Sequence, residues 1–341
     1  MLKVLSENES ETLFKVIDQS IEILQRELST SYMDAFIETG DNLLEGEIQV
    51  EDGKPDSESV AQLKALYDSI DLAQLDAESI RRAVQFAMLK AVQQDKIQPN
   101  HQLTPDTIGM IVGYLVSSLT TNQKKLKLLD LSVGTGNLLT TVMNDIKNDV
   151  SKAVSADAVD NDDTMLAVAQ INAALQSLEV NLVHQDALSN LNISLSDVAI
   201  GDLPVGYYPV DENAKDFQTD VSEGHSYVHH LLIEQAMAHV KAGGFGIFLV
   251  PANLFESDQS KLFLKWIQEK VYFQGFLNLP QELFQNKNAR KSILILQNQG
   301  QDAKQAGKVM LGEFPSFKQQ ADFKHFMAEI IEWEHSDLHI K

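Results

Sequence analysis

In the first hundred positions apolar residues recur at three- and four-residue steps: Leu13, Ile17, Ile21, Leu24 and Leu28, then Ile80, Val84, Ala87 and Met88 before Pro99. That spacing puts them on one face of a helix and predicts a helical segment over 7–100, ended by the proline. Between the two runs, residues 45–56 (Glu-Gly-Glu-Ile-Gln-Val-Glu-Asp-Gly-Lys-Pro-Asp) are rich in turn formers and read as a surface loop or a short hairpin. From about residue 104 the pattern changes. Short apolar runs at 126–131, 152–159, 179–184, 196–201, 244–250, 271–278 and 292–297 are mostly separated by longer periodic stretches, the alternation of βαβ units. The stretch from Leu279 to Lys291 is short for a parallel crossover, so the last two strands are predicted to pair antiparallel. The pattern gives an α/β chain with a helical domain over 1–100 and a domain over 101–341 built on seven mostly parallel strands.

Composition narrows the picture. A chain of 341 residues that is 44% hydrophobic can bury the core of one large α/β domain and a smaller one. The absence of cysteine excludes disulfide frameworks and thiolate metal sites and points to a reducing compartment. Residues 1–12 have no secretory pattern and no apolar run reaches 18 residues, so the expectation is a soluble, cytoplasmic protein without a membrane partner. Lys and Arg total 27 against 49 acidic residues, a net charge of −22 shared as −11 over 1–100 and −11 over 101–341. Phosphate backbones are held by clustered Lys and Arg, so this chain repels free nucleic acid globally and is expected to bind it only locally.

The richest stretch is 128–137, Leu-Leu-Asp-Leu-Ser-Val-Gly-Thr-Gly-Asn: a strand ending at Asp130, then a turn through Ser132, Gly134, Thr135, Gly136 and Asn137. Glycines there let the backbone turn tightly and present N–H groups to a ligand at the start of a helix. Leu139 fills the third glycine position of the dinucleotide fingerprint, which disfavours that reading. The pattern resembles the S-adenosylmethionine (SAM) loop of class I methyltransferases, particularly the N6-adenine DNA methylase family. The resemblance covers about 101–297 and implies a Rossmann-like doubly wound sheet with a terminal antiparallel hairpin. It also implies SAM as cofactor. Asp160, with Asn161 after it, follows the next strand and would take the ribose hydroxyls; Asp186 and Ala187 follow the third and would take the adenine; Thr104 would close over the methionine end. Asp160 and Asp186 read equally as helix caps, and Thr104-Pro105 as a cap with a first-turn proline.

Residues 196–209 end in Gly-Asp-Leu-Pro-Val-Gly-Tyr-Tyr-Pro, where amino-group methylases carry Asn/Asp-Pro-Pro-aromatic. The resemblance implies that Asp202 and the Leu203 carbonyl, before Pro204, accept the N–H bonds of an exocyclic amine. Val205 stands where the family stacks an aromatic ring on a flipped base, so Tyr207 or Tyr208 would have to do so. The implied activity is transfer of a methyl group to an exocyclic amino nitrogen, in the manner of an adenine-specific DNA methylase. The alternatives are an RNA or protein-amide acceptor, or a SAM sensor without turnover. About 44 residues follow the last expected strand, too few for a target-recognition domain, which suggests a short stand-alone branch.

Three features lie outside this scheme. Lys287, Arg290 and Lys291 concentrate charge in one loop and are the candidate phosphate contacts for DNA, although they also read as a solvated loop. His225, His229 and His230 lack an H-E-x-x-H frame, so no metal is expected. Phe323, Phe326, Met327, Ile330 and Trp333 form one stripe of a C-terminal helix, expected to pack on the domain with a dimer seam as the alternative. The sequence does not set the oligomeric state.

Overall fold

The computed structural model describes residues 6–96, 103–149, 151–221, 223–284, 286, 289–300 and 302–339. Four helices open the chain: α1 (Ser6–Leu28), α2 (Tyr32–Glu45), α3 (Ser57–Tyr67) and α4 (Ala77–Gln94). Short polar side chains start three of them: Ser31, Asp56 and Asp76 each accept a backbone N–H three residues on. The α1 stripe is buried from Leu13 to Leu24, whereas Leu28 at its end is 37% exposed. Within 45–56, Glu51 and Lys54 exchange two backbone hydrogen bonds of 2.9 Å around Asp52-Gly53, so the segment is a short hairpin.

The remaining helices are α5 (Asp106–Leu119), α6 (Asn137–Lys147), α7 (Asp163–Leu175), α8 (Asp211–Ala214), α9 (Val228–Ala238), α10 (Ser260–Lys270) and α11 (Gln320–Ser336). The strands are β1 (Lys125–Asp130), β2 (Ala153–Asp160), β3 (Glu179–His184), β4 (Ser196–Asp202), β5 (Val240–Pro251), β6 (Val271–Asn278), β7 (Lys291–Asn298) and β8 (Met310–Glu313), in the order β3-β2-β1-β4-β5-β7-β6-β8. Contacts divide the described residues into two compact units. The first holds the residues up to Met110, Val133–Asn144 and Asp160–His184; the second holds Ile111–Ser132, Asp145–Val159 and the residues from Gln185 onward.

In the first unit, Ile17, Ile21, Phe36, Ile80, Val84 and Met88 share a core with Met165, Val168, Ile171 and Leu175 of α7. Gly40 of α2 is required there, because a Cβ would overlap the Ile171 side chain.

In the second unit, β1 pairs parallel with β2 and β4, and β4 parallel with β5. β7 runs antiparallel to β5 and β6, so the expected antiparallel pair forms. The central strands are buried almost continuously, as in parallel sheets covered on both faces. Strand order reverses between β1 and β4, whose last residues are Asp130 and Asp202; the carboxyl edge at such a point is where doubly wound sheets bind ligands. One expectation needs correction. The sheet has eight strands, since β8 pairs parallel with β6 and the hairpin is not the edge. β5 starts at Val240, four residues before the apolar run at 244–250, and α9 before it stops at Ala238. On α11, Ile330 and Trp333 are buried, Trp333 Nε1 donates to the Lys308 carbonyl at 2.8 Å, and Phe326 packs edge-on to Phe314. Among the described residues no helix is long and apolar enough to cross a membrane.

Candidate functional site

In the first unit, Gly134 and Gly136 have φ of +51° and +75°, which side-chain-bearing residues rarely adopt. The Gly136 N–H closes the turn on the Val133 carbonyl at 2.9 Å. A Cβ on Gly136 would press on Ala169 Cβ at 3.3 Å, while the space beside Gly134 is open. Asp160 fixes this loop: Oδ2 accepts the Gly134 N–H at 2.7 Å and Oδ1 accepts the Asp162 N–H at 3.1 Å. The cap of α7 is Asp162, so the helix-cap reading of Asp160 is corrected. The Asn161 carbonyl meets His184 Nε2 at 3.2 Å, and the Thr135 carbonyl accepts from Asn172 at 3.2 Å. Asn137, the first residue of α6, turns its side chain inward: Oδ1 accepts from Arg81 Nη1 at 3.1 Å and Nδ2 donates to the Thr104 carbonyl at 2.8 Å.

In the second unit, Asp130 is 2% exposed and its Oδ1 accepts the Ser132 N–H at 3.0 Å. A Cβ on Gly201 would press on Leu203 Cδ2 at 3.1 Å and would be in ordinary contact with Asp130 Oδ1 at 3.4 Å and Ser132 Oγ at 3.5 Å. Asp186 accepts the Leu188 N–H at 3.0 Å in a turn rather than a helix cap, a second correction. Its other oxygen accepts from the Tyr208 hydroxyl and from Asn213 at 3.3 Å. Burial, then the bond to Asp186, pushes the Tyr208 hydroxyl up to about 12. The Ala187 carbonyl accepts from Gln235 at 2.9 Å.

The segment after β4 is held on three sides. Leu203 N–H donates to the Leu249 carbonyl at 3.1 Å. Lys291 Nζ donates to Asp202 Oδ1 and lies 3.5 Å from the Leu203 carbonyl. The ring of His229, 4% exposed, hydrogen-bonds the Pro204 carbonyl. Burial, then the charge of Lys291, takes His229 down to about 4, and burial takes His230 down to about 3. His230 stacks on Phe263 with ring centroids 4.4 Å apart.

The two tyrosines part ways here. Tyr208 is buried on Asp186, whereas Tyr207 is 59% exposed and stacks on Tyr227 at 4.8 Å with 13° between the planes. Val205 is also exposed.

Among the proposed phosphate contacts, Arg290 donates to the Leu279 carbonyl and pairs with Glu313, both at 2.7 Å, and Lys291 pairs with Asp202. Lys287 lies outside the described residues. The histidines do not converge as metal ligands: His225 pairs with Asp211 at 2.8 Å, and among the described residues no group of three metal-binding side chains is found. Sequence reasoning missed Arg81 and the support His229 gives to Pro204.

Residues 11–92 match the YtxK N-terminal helical domain and 88–332 match the N-6 DNA methylase family. The chain is 38% identical over 322 residues to the uncharacterized protein YtxK of Bacillus subtilis, covering 94% of this chain and 96% of that one. A crystal structure from Listeria monocytogenes, assigned to the class I SAM-dependent methyltransferases, superposes with a TM-score of 0.89 at 41% identity over 96% of this chain and 99% of that one. The methyltransferase subunit of a type I restriction-modification system from Streptococcus thermophilus shares the fold, with a TM-score of 0.67 at 12% identity over 95% of this chain and 94% of that one. The chain belongs to the N-6 DNA methylase family and is, by family and fold, a SAM-dependent methyltransferase.

Proposed function

We propose that the chain transfers the methyl group of SAM to an exocyclic amino nitrogen, with adenine N6 in DNA as the first candidate acceptor. The observation that carries this reading is the position of Lys291 Nζ, on the Asp202 carboxylate and 3.5 Å from the Leu203 carbonyl: two acceptors converge on one nitrogen. An exocyclic amine is a poor nucleophile because its lone pair is delocalised into the ring. Donating its two N–H bonds to Asp202 and Leu203 holds that lone pair toward the methyl donor. The acceptor nitrogen takes the place that Lys291 Nζ holds. As the N–C bond forms and the donor's C–S bond breaks, the Asp202 carboxylate takes one amine proton. Tyr207, exposed and already stacked on Tyr227, offers a face for a flat base; Tyr208 is engaged with Asp186.

SAM supplies an electrophilic methyl sulfonium. Within the first unit, Gly134, Thr135 and Gly136 would hold it through their backbone, Asp160 and Asn161 at the ribose and Thr104 at the methionine end; within the second, the family resemblance implies Asp186 and Ala187 for the adenine and Asp130 and Ser132 for the methionine end. Two observations support the fit: the open space beside Gly134, and Ser132 Oγ, buried without a hydrogen-bond partner among the described residues.

A second reading, an RNA or protein-amide acceptor, is favoured by Val205 at the usual aromatic position, and its protein-amide form also by the net charge of −22, which repels RNA as it does DNA. The experiment is incubation with methyl-labelled SAM followed by separation of DNA, RNA and protein. Label at adenine N6 supports the first reading, and label only in RNA or protein supports the second. SAM binding with no label in any fraction would leave a sensor.

A further inference from the structure

We infer that Arg81, on the N-terminal helical segment, is a positioning residue for the SAM loop and acts through Asn137. This rests on the SAM site proposed above. Arg81 has no exposed surface. A buried guanidinium is tolerated only when its donors are met by acceptors in fixed places, so its partners are held in place as firmly as it is.

Nε and Nη2 form a fork on Glu78, both bonds 2.7 Å. That fork fixes the plane of the group and leaves Nη1 aimed away from α4. Nη1 donates at 3.1 Å to Asp106, at the start of α5, and at 3.1 Å to Asn137 Oδ1. Asn137 completes the link by donating to the Thr104 carbonyl at 2.8 Å. One side chain of α4 thereby ties the residue after Gly-Thr-Gly to the segment entering α5, the two stretches proposed to meet the cofactor. Helix α7 bounds the loop as well: Ala169 lies against Gly136, and Asn172 holds the Thr135 carbonyl. Since α4 and α7 share a core, the helical domain sets the loop rather than hanging from it. Asn137, buried and used at both ends of its amide, shapes the loop instead of contacting the ligand.

The test is calorimetric SAM affinity alongside urea unfolding for the parent, Arg81→Met, Arg81→Lys and Leu63→Ala. Leu63 is fully buried in the same core and touches none of this network's hydrogen bonds, so its variant reports what lost stability alone does to binding. Arg81→Met is expected to weaken SAM binding roughly 10- to 100-fold, the scale of one lost charge-assisted hydrogen bond. Arg81→Lys keeps the charge between Glu78 and Asp106 but cannot fork and also reach Asn137, so it should weaken binding by a smaller factor while largely keeping stability. Leu63→Ala should lower stability and leave affinity within about twofold. If Arg81→Met does not fold, Arg81→Lys decides alone. Parent-like affinity in Arg81→Lys, or an equal loss in Leu63→Ala at matched stability, would overturn the inference. A parent that binds no SAM would overturn the SAM reading and this inference together.

Discussion

Lys291 Nζ rests on the carboxylate of Asp202, 89 residues earlier in the chain, although β7 and β4 are not neighbours in the sheet. The antiparallel sense of β7 explains the meeting. β5 lies between the two strands, and Lys291, the first residue of β7, pairs with Pro251, the last of β5. A strand running against its neighbours starts where they end, so the hairpin delivers a cation to the carboxyl edge.

In the proposed site Asp202 addresses the acceptor amine, so Asp202→Ala is expected to lower methyl transfer about 100-fold or more, the scale seen when one group aimed at the reacting atoms is removed. SAM affinity should stay within about twofold. Label transfer and calorimetry on the same preparation check both. An equal loss in the two assays would assign Asp202 to the cofactor.

Asp160 predicts the opposite split. Its carboxylate accepts the Gly134 N–H and, in the proposed site, the ribose hydroxyls. Asp160→Ala should cost SAM binding about 1.5–3 kcal/mol, roughly 10- to 100-fold. Calorimetry with SAM and its demethylated product measures it, and unchanged affinity would leave Asp160 a structural role only.

Tyr207→Ala tests the stacking face. Removing it should weaken acceptor binding by about 1–3 kcal/mol per base, read as a raised KM for a nucleic-acid substrate with SAM affinity unaffected. If Tyr207→Ala leaves that KM unchanged, the base stacks elsewhere or the acceptor is not a base.

What could be read in the sequence followed physical rules that act locally. Buried strands are nearly continuous apolar runs, so β1, β2, β4, β5, β6 and β7 are visible, β3 also lies at its expected position, and the glycine turn and the acids at strand ends are legible too. β8 was not: it has four residues, and Leu311 within it is 66% exposed. Arg81 and Arg82 are adjacent in one helix, and only long-range partners, 25 and 56 residues away, decide that Arg81 is the buried one. Tyr207 and Tyr208 posed the same problem, resolved by Asp186 on one side and Tyr227 on the other. His229 had no role in the sequence because periodicity gives a helix face but not the carbonyl its ring meets, here that of Pro204.

The buried histidines make stability pH-dependent. His229 and His230 titrate near 4 and 3 when folded, against 6.5 when exposed. Above pH 6.5 both are neutral in either state and the stability they permit is fully present. As pH falls from 6.5 toward 4 and then 3, the unfolded chain binds protons that the folded chain refuses, so stability declines across that window, by on the order of a few kcal/mol. Urea unfolding at stepped pH should show a shallower decline for a His229→Asn, His230→Phe double variant than for the parent. Parallel curves would mean that the imidazoles are solvated.

The last prediction concerns nucleic acid and the net charge of −22. If DNA is the acceptor, contact with phosphates must be local, and Lys287, Arg290 and Lys291 are the proposed source. Two of these are already engaged, Arg290 with Glu313 and Lys291 with Asp202, so DNA must compete with internal pairs. Affinity should therefore be weak and the salt dependence shallow, with a log–log slope of about −3 or less steep, at roughly −0.9 per neutralised phosphate. Glu313→Gln, which frees Arg290, should tighten DNA binding, and replacing all three cations by Ser should remove it while sparing SAM affinity. Fluorescence anisotropy with a short duplex across a salt series measures each case. A triple variant that binds DNA as the parent does would move the phosphate contact elsewhere. A parent that binds no duplex even at low salt would favour a protein-amide acceptor or a sensor, because a net charge of −22 repels the phosphate backbone of RNA as well as of DNA.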